Sequence, residues 1–149
     1  MSGLFWVLAA PSLALTAAIG GITLFGSRDI QRQAVSLLLV LSGLSAVIAG
    51  LAGLLAPPVT ATLPIGLPWL PMHIRLDALA GFFLLVIGLL VIAVSLYSVG
   101  YLRQLASRKN LTTLHIFLPL FITGMLGVVI ADDAYSFMIF WELMSVTRK

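Results

Sequence analysis

The sequence of 149 residues contains no cysteine and very few charged residues. Without cysteine the chain forms no disulfide and offers no thiolate to zinc or to an iron–sulfur cluster. Charged residues make up 9% of the chain, whereas about 25% is usual for a soluble domain. Because so few charges do not cover the surface of a water-soluble globule, the composition excludes an ordinary soluble domain.

Hydrophobic residues make up 61% of the chain, and they form blocks of about 20 residues, which is the pattern of transmembrane helices. The blocks predict an all-α, polytopic membrane protein with a single membrane domain over residues 1–149. Four blocks are long enough for complete spans and a fifth is incomplete. We number these segments one to five, and their approximate limits are 3–25, 34–56, 76–98, 114–131 and 134–147.

The polar connections between the segments predict the orientation of the chain. Five Lys and Arg residues lie in the connections after segments one and three, whereas the connections after segments two and four hold Arg75 alone. By the positive-inside rule, the amino terminus and the Asp132-Asp133 turn both lie outside. The net charge of +3 therefore reflects topology, and we expect no nucleic-acid partner.

Segment two carries small residues on two helical faces. Small residues four positions apart let the backbone of another helix approach closely, so these faces predict close helix packing. The alternative is that they are generic lipid-facing residues. The faces consist of Ser42, Ala46 and Gly50, and of Ser45, Ala49 and Gly53.

The connection between segments two and three is rich in proline and contains Trp69. Proline opposes a continuous helix and tryptophan anchors chains at the membrane surface, so we predict an extended interfacial segment here. Arg75 and Asp77 follow it directly. We interpret this pair as a structural cap at the level of the lipid head groups, and a proton site is the alternative.

Glu142 is the one charge predicted to lie deep in the membrane. An aspartate of the Asp132-Asp133 turn is expected to cap segment five, and Glu142 then lies about 13 Å further along the helix, near the middle of the hydrocarbon. A carboxylate there costs at least about 2.5 kcal/mol, so it must face a bundle interior, pair with a base or hold a proton. We interpret Glu142 as a proton relay, and the alternative is a Glu hydrogen-bonded for helix docking.

Segment five contains 14 residues before Arg148 and Lys149, fewer than the 17 or so that span a bilayer. The sequence therefore predicts that the carboxyl-terminal portion of a longer parent protein is absent.

We predict no metal site and no cofactor, because His73 and His115 are the only histidines and lie far apart in the sequence.

Three motifs resemble a known family when they are taken together. They occupy residues 75–83, 95–102 and 140–145, and the last, Phe140-Trp141-Glu142-Leu143-Met144-Ser145, is the most specific. They resemble the amino-terminal region of the antiporter-like, proton-conducting membrane subunits of respiratory complex I and of membrane-bound NiFe hydrogenases. The likeness is greatest to hydrogenase-4 component B, also called formate hydrogenlyase subunit 3.

The resemblance implies a 14-helix fold of inverted repeats in a bacterial or archaeal cell membrane, with the amino terminus outside. In that family the glutamate of the motif, Glu142 here, pairs with a lysine of a later helix and couples redox chemistry to proton transfer. The implied partners are membrane lipid and the other membrane and hydrogenase or quinone oxidoreductase subunits, which hold the redox centres. The chain alone is expected to be an inactive amino-terminal part of such an oxidoreductase complex.

Two other functions are compatible with the residues. The small-residue faces of segment two suit a small membrane assembly or scaffold subunit without transport activity. A lone membrane glutamate also suits a small dimeric drug/proton antiporter, although such proteins carry that glutamate in a complete helix.

Overall fold

A computed structural model describes Val7, residues 28–105 and residues 112–147. Segment one lies outside the described residues except for Val7, which is buried. Segments two to five correspond to four helices, and a β-hairpin separates the first two. In chain order the elements are α1 (Arg28–Leu55), β1 (Val59–Leu67), β2 (Leu70–Leu76), α2 (Ala78–Leu105), α3 (Thr112–Ile130) and α4 (Ala134–Thr147).

Two of the described helices are long and apolar enough to cross a membrane. The apolar stretches Gln33–Leu55 in α1 and Ala78–Tyr101 in α2 contain 23 and 24 residues, and at about 1.5 Å per residue each exceeds a hydrocarbon core of about 30 Å. The apolar part of α3, Ile116–Ile130, is shorter.

Helices α1 and α2 pack closely in antiparallel directions through their glycines. A Cβ atom added at Gly50 would lie 2.7 Å from the carbonyl oxygen of Gly81, and one added at Gly43 would lie 2.9 Å from that of Gly88. All six small residues of the two faces in segment two are buried. The predicted close helix packing is confirmed, and the lipid-facing alternative is wrong.

The prediction of an all-α fold is wrong for residues 59–76, because they form an antiparallel hairpin. Strand β1 pairs with β2 from Val59 opposite Leu76 to Leu67 opposite Leu70, and the register shifts between Leu63 and Gly66. The shift falls at Pro64, which has no N–H to donate to the ladder. Gly66 adopts a φ of +133°, a backbone conformation that is strained for any residue with a Cβ atom.

The hydrophobic core joins α1, α2, α3 and the inner face of β2. Strand β2 alternates strictly, because Met72, Ile74 and Leu76 are buried while His73 and Arg75 are exposed. The hairpin therefore covers one end of the helix bundle. Other members of the core cluster are Leu39, Ala46, Leu84, Val91, Ile122 and Leu126.

Candidate functional site

Helix α4 packs against α3 along one face, and two glycines of α3 make this possible. A Cβ atom at Gly124 would lie 3.1 Å from the Cβ atom of Met144. The ring of Phe140 lies directly over Gly127, where no side chain is accommodated. The face of α4 that contains Phe140 and Met144 is therefore fixed against the bundle.

Glu142 lies on the opposite face of α4 and is exposed. Its neighbours on this open face are also exposed, with Met138 at 56% and Trp141 at 48% of their full accessibility. Glu142 follows the first residue of α4 by about 12 Å along the helix axis. Within the described ranges no basic side chain forms an ion pair with it. The candidate site is thus one carboxylate, near the middle of α4, on a helix face that the described helices leave uncovered.

Asp133 caps the amino-terminal end of α4. Its Oδ1 atom accepts a hydrogen bond of 2.6 Å from the backbone N–H of Ser136, and its Oδ2 atom accepts one of 3.0 Å from the Ser136 hydroxyl. The backbone N–H of Phe137 donates to the carbonyl oxygen of Asp133. The predicted aspartate cap of segment five is confirmed, and its negative charge lies at the positive end of the helix dipole.

These hydrogen bonds stabilise the ionised form of Asp133. The backbone N–H of Ser136 makes the largest contribution, and with the hydrogen bonds from His73 it lowers the pKa of Asp133 from 3.8 to about 2. Since the pKa is below that of the unfolded chain, the cap contributes its full stability above pH 3.8. This contribution is lost as the pH falls towards 2.

The hairpin is hydrogen-bonded to the turn that precedes α4. The backbone N–H of His73 donates a hydrogen bond of 2.8 Å to Asp133 Oδ2. The Nδ1 atom of the His73 side chain lies 3.4 Å from the same oxygen. The backbone N–H of Asp132 donates to the carbonyl oxygen of His73, and Ile74 forms a β-bridge with Ala131. Strand β2 therefore holds the start of the helix that carries Glu142.

Arg75 lies between two carboxylates at the same end of the bundle. Its Nε atom is 3.4 Å from Asp77 Oδ2, and its Nη1 atom is 3.9 Å from Asp132 Oδ1. Asp77 also accepts a hydrogen bond of 2.8 Å from the backbone N–H of Ala80 at the start of α2. The structural role predicted for Arg75 and Asp77 is confirmed, since Asp77 caps α2 and Arg75 bridges that cap to Asp132.

Three known proteins show what the chain is similar to. It is 34% identical over 119 residues to the "Putative antiporter subunit mnhA2" of Staphylococcus epidermidis, a match that covers 67% of this chain and 15% of that protein. The protein of the same name in Staphylococcus aureus is 41% identical over 91 residues, covering 57% and 11% of the two chains. Hydrogenase-4 component B of Escherichia coli is 36% identical over 76 residues, covering 51% and 11%. The chain is homologous to antiporter-like subunits. No family model matches it.

This homology to antiporter-like subunits confirms the resemblance predicted from the three motifs. It also identifies the chain as a membrane protein, in agreement with the two long apolar helices. The chain spans only about a seventh or less of the length of these relatives.

The role of Glu142 as a proton relay stays a prediction. In the part of the chain that the structure describes, no group of three His, Asp or Glu side chains is placed to hold a metal ion.

The contact between His73 and Asp133 was not predicted from the sequence, although a signal for the strand was present. From Met72 to Leu76 apolar and polar residues alternate, which is the period of a half-buried strand. The neighbouring prolines led to the prediction of an extended interfacial segment, but not of two paired strands. The side chain of His115 lies outside the described residues.

Proposed function

We propose that this chain forms the amino-terminal part of a proton-translocating, antiporter-like membrane subunit. The observation that carries the proposal is the similarity to an antiporter subunit and to hydrogenase-4 component B, together with an exposed glutamate near the middle of α4. The transported species is the proton. Redox chemistry would belong to partner subunits of a hydrogenase or NADH-quinone oxidoreductase-type complex.

The surroundings of Glu142 support a role in proton transfer. Glu142 lies among Met138, Trp141 and Val146 on an apolar helix face. Contact of this face with lipid is energetically unfavourable when the carboxylate is charged. The carboxylate is stabilised when a further helix covers this face and supplies a basic side chain, or when it holds a proton. Both conditions suit an acid that gains and loses a proton during a transport cycle.

The finer topology belongs to the same proposal. We infer four complete spans, a fifth that continues beyond the 14 residues of α4, and a complete subunit with the 14-helix family fold. The distribution of Lys and Arg among the loops supports an outside amino terminus and an outside position for Asp132 and Asp133.

The scaffold alternative has lost the observation that favoured it. The small residues of segment two are buried, and its Gly43, Gly50 and Gly53 pack against α2 of the same chain. They are therefore not available to a separate partner protein.

Replacement of Glu142 tests the proposal. In the natural host, the complete protein carrying Glu142→Gln should assemble normally but lose most of its proton translocation, because Gln has no titratable proton. Translocation is measured as acidification of inverted membrane vesicles with a ΔpH-sensitive dye, and assembly by immunoblot. Glu142→Asp should retain part of the activity.

A matched control lies one turn away on the same open face. Ser145→Ala also removes a polar group from this face, yet it should leave translocation unchanged. Normal translocation by Glu142→Gln, or an equal loss in both variants, would contradict the assignment of Glu142 as the proton relay.

A further inference from the structure

Three hollows follow one another along α2 and α3, and together we call them the groove. From the hairpin end their volumes are about 410, 250 and 280 Å³, and residues of α1 also line the third. On α2 the walls of the groove are residues three or four positions apart, namely Leu79, Phe83, Val86, Leu90 and Val94. The middle hollow is entirely apolar, so the groove suits a hydrocarbon chain.

The hairpin end of the groove is charged. Its walls there include Arg75, Asp77 and Asp132, whose side chains are 48%, 31% and 34% exposed. Arg75 directs Nε and Nη1 towards the two carboxylates, and a guanidinium has five N–H donors, so donors are left for an anion. One positive and two negative groups therefore meet at the mouth of an apolar groove.

We propose that this groove binds a phospholipid whose head group contains both a phosphate and a primary ammonium, as in phosphatidylethanolamine. Arg75 donates to the phosphate, Asp132 and Asp77 accept from the ammonium, and one acyl chain lies along the apolar walls between α2 and α3. The local charge of −1 disfavours a purely anionic head group such as that of phosphatidylglycerol.

The charged end of the groove favours a phospholipid over a helix, because a zwitterionic head group can pair with Arg75, Asp77 and Asp132 together. An acyl chain is narrow enough to lie in hollows of this size. The lipid would lie in the leaflet next to the hairpin.

Photolabelling in vesicles tests the proposal. The purified chain is reconstituted in phosphatidylcholine with a trace of phosphatidylethanolamine or phosphatidylglycerol, each bearing the same diazirine-labelled acyl chain, and adducts are located by mass spectrometry. We expect adducts on Phe83, Val86 and Phe121, with an excess for phosphatidylethanolamine of about two- to fivefold, the range that a partly exposed ion pair supports. Asp132→Asn should bring the two lipids towards equal labelling.

Two valine substitutions provide a matched pair. Val86 lines the groove and Val146 lies outside it on the open face of α4, and both are exposed. Val86→Phe should reduce groove adducts severalfold, whereas Val146→Phe should not. Circular dichroism verifies the helix content of both variants. If a variant does not fold, competition by unlabelled lipids for labelling of the unaltered chain still compares phosphatidylethanolamine with phosphatidylglycerol.

Three outcomes would overturn the proposal. Equal labelling by both lipids removes the head-group assignment. Adducts outside the groove show that the lipid binds elsewhere. A groove that neither lipid labels is closed or covered by a helix, from this chain or a second copy.

Discussion

Asp133 connects two parts of the chain through one carboxylate. Its oxygens accept hydrogen bonds from the first turn of α4 and from the backbone N–H of His73 in strand β2. A single residue therefore ends the turn after α3, starts α4 and attaches the hairpin to both. The sequence predicted the cap from the residue type, but a contact to His73, sixty positions earlier, has no local signature.

Replacement of Asp133 should destabilise the chain. Asp133→Ala removes the cap, and we expect the free energy of unfolding to fall by about 1 kcal/mol, as for other helix caps. Asp133→Asn keeps a capping side chain and should cost less. Unfolding is measured in detergent micelles by circular dichroism. Asp132→Asn is the matched control, since it loses only a long, exposed ion pair and should change stability by less than about 1 kcal/mol. Equal losses for Asp133→Ala and Asp132→Asn would argue against the cap.

The pH dependence of stability gives a second test of Asp133. Because its pKa is lowered from 3.8 to about 2, the folded chain binds fewer protons at this site than the unfolded chain in that interval. Its stabilising contribution should therefore decrease as the pH falls from about 3.8 to about 2. The difference in stability between the unaltered chain and Asp133→Asn should shrink over the same interval. A difference that does not depend on pH would contradict the lowered pKa.

At the scale of elements, the hydrophobic blocks and the small-residue spacing predicted most of the fold. The helices α1 to α4 overlap segments two to five, although α1 begins at Arg28 and α2 extends to Leu105, both beyond the predicted limits. The two small-residue faces of α1 are buried as predicted. A hydrophobic block predicts a helix because a chain segment in lipid must satisfy its backbone hydrogen bonds internally, and a helix does so. The hairpin was missed because its strands are stabilised by pairing with each other, and three prolines hid the alternation of β2.

A pair of glycines isolates the energy of helix packing. At Gly50 an added Cβ atom would meet backbone atoms of Gly81 and Leu85 at 2.7 Å, whereas at Gly100 nothing lies within 4 Å. Gly50→Ala should destabilise the chain by about 1–3 kcal/mol, because α1 and α2 must separate. Gly100→Ala should be neutral or stabilise by up to about 1 kcal/mol, because alanine is the better helix former. Denaturation of both variants in micelles measures the difference, and equal effects would contradict the close packing.

At the scale of the whole molecule, the start of α4 is in contact with the rest of the described structure, whereas the face that carries Glu142 is not. Its start is fixed by Asp133 and the hairpin, while the face with Glu142 is open. Glu142 is a candidate from its charge and its predicted depth. Which face of α4 is covered was not predictable from the sequence, because that depends on Gly124 and Gly127 of α3.

The open face and the short match to longer relatives lead to a prediction about the natural protein. The relatives are matched over only 11% to 15% of their length, and we propose that a later helix covers Glu142 in the complete subunit. An antibody against the hairpin should therefore detect, in native membranes, a protein much larger than 15.9 kDa. Preincubation of the antibody with a peptide of the hairpin sequence serves as the specificity control, since it should abolish the signal. If the natural protein migrates only at 15.9 kDa, no later helix of the same chain covers Glu142, and this prediction is wrong.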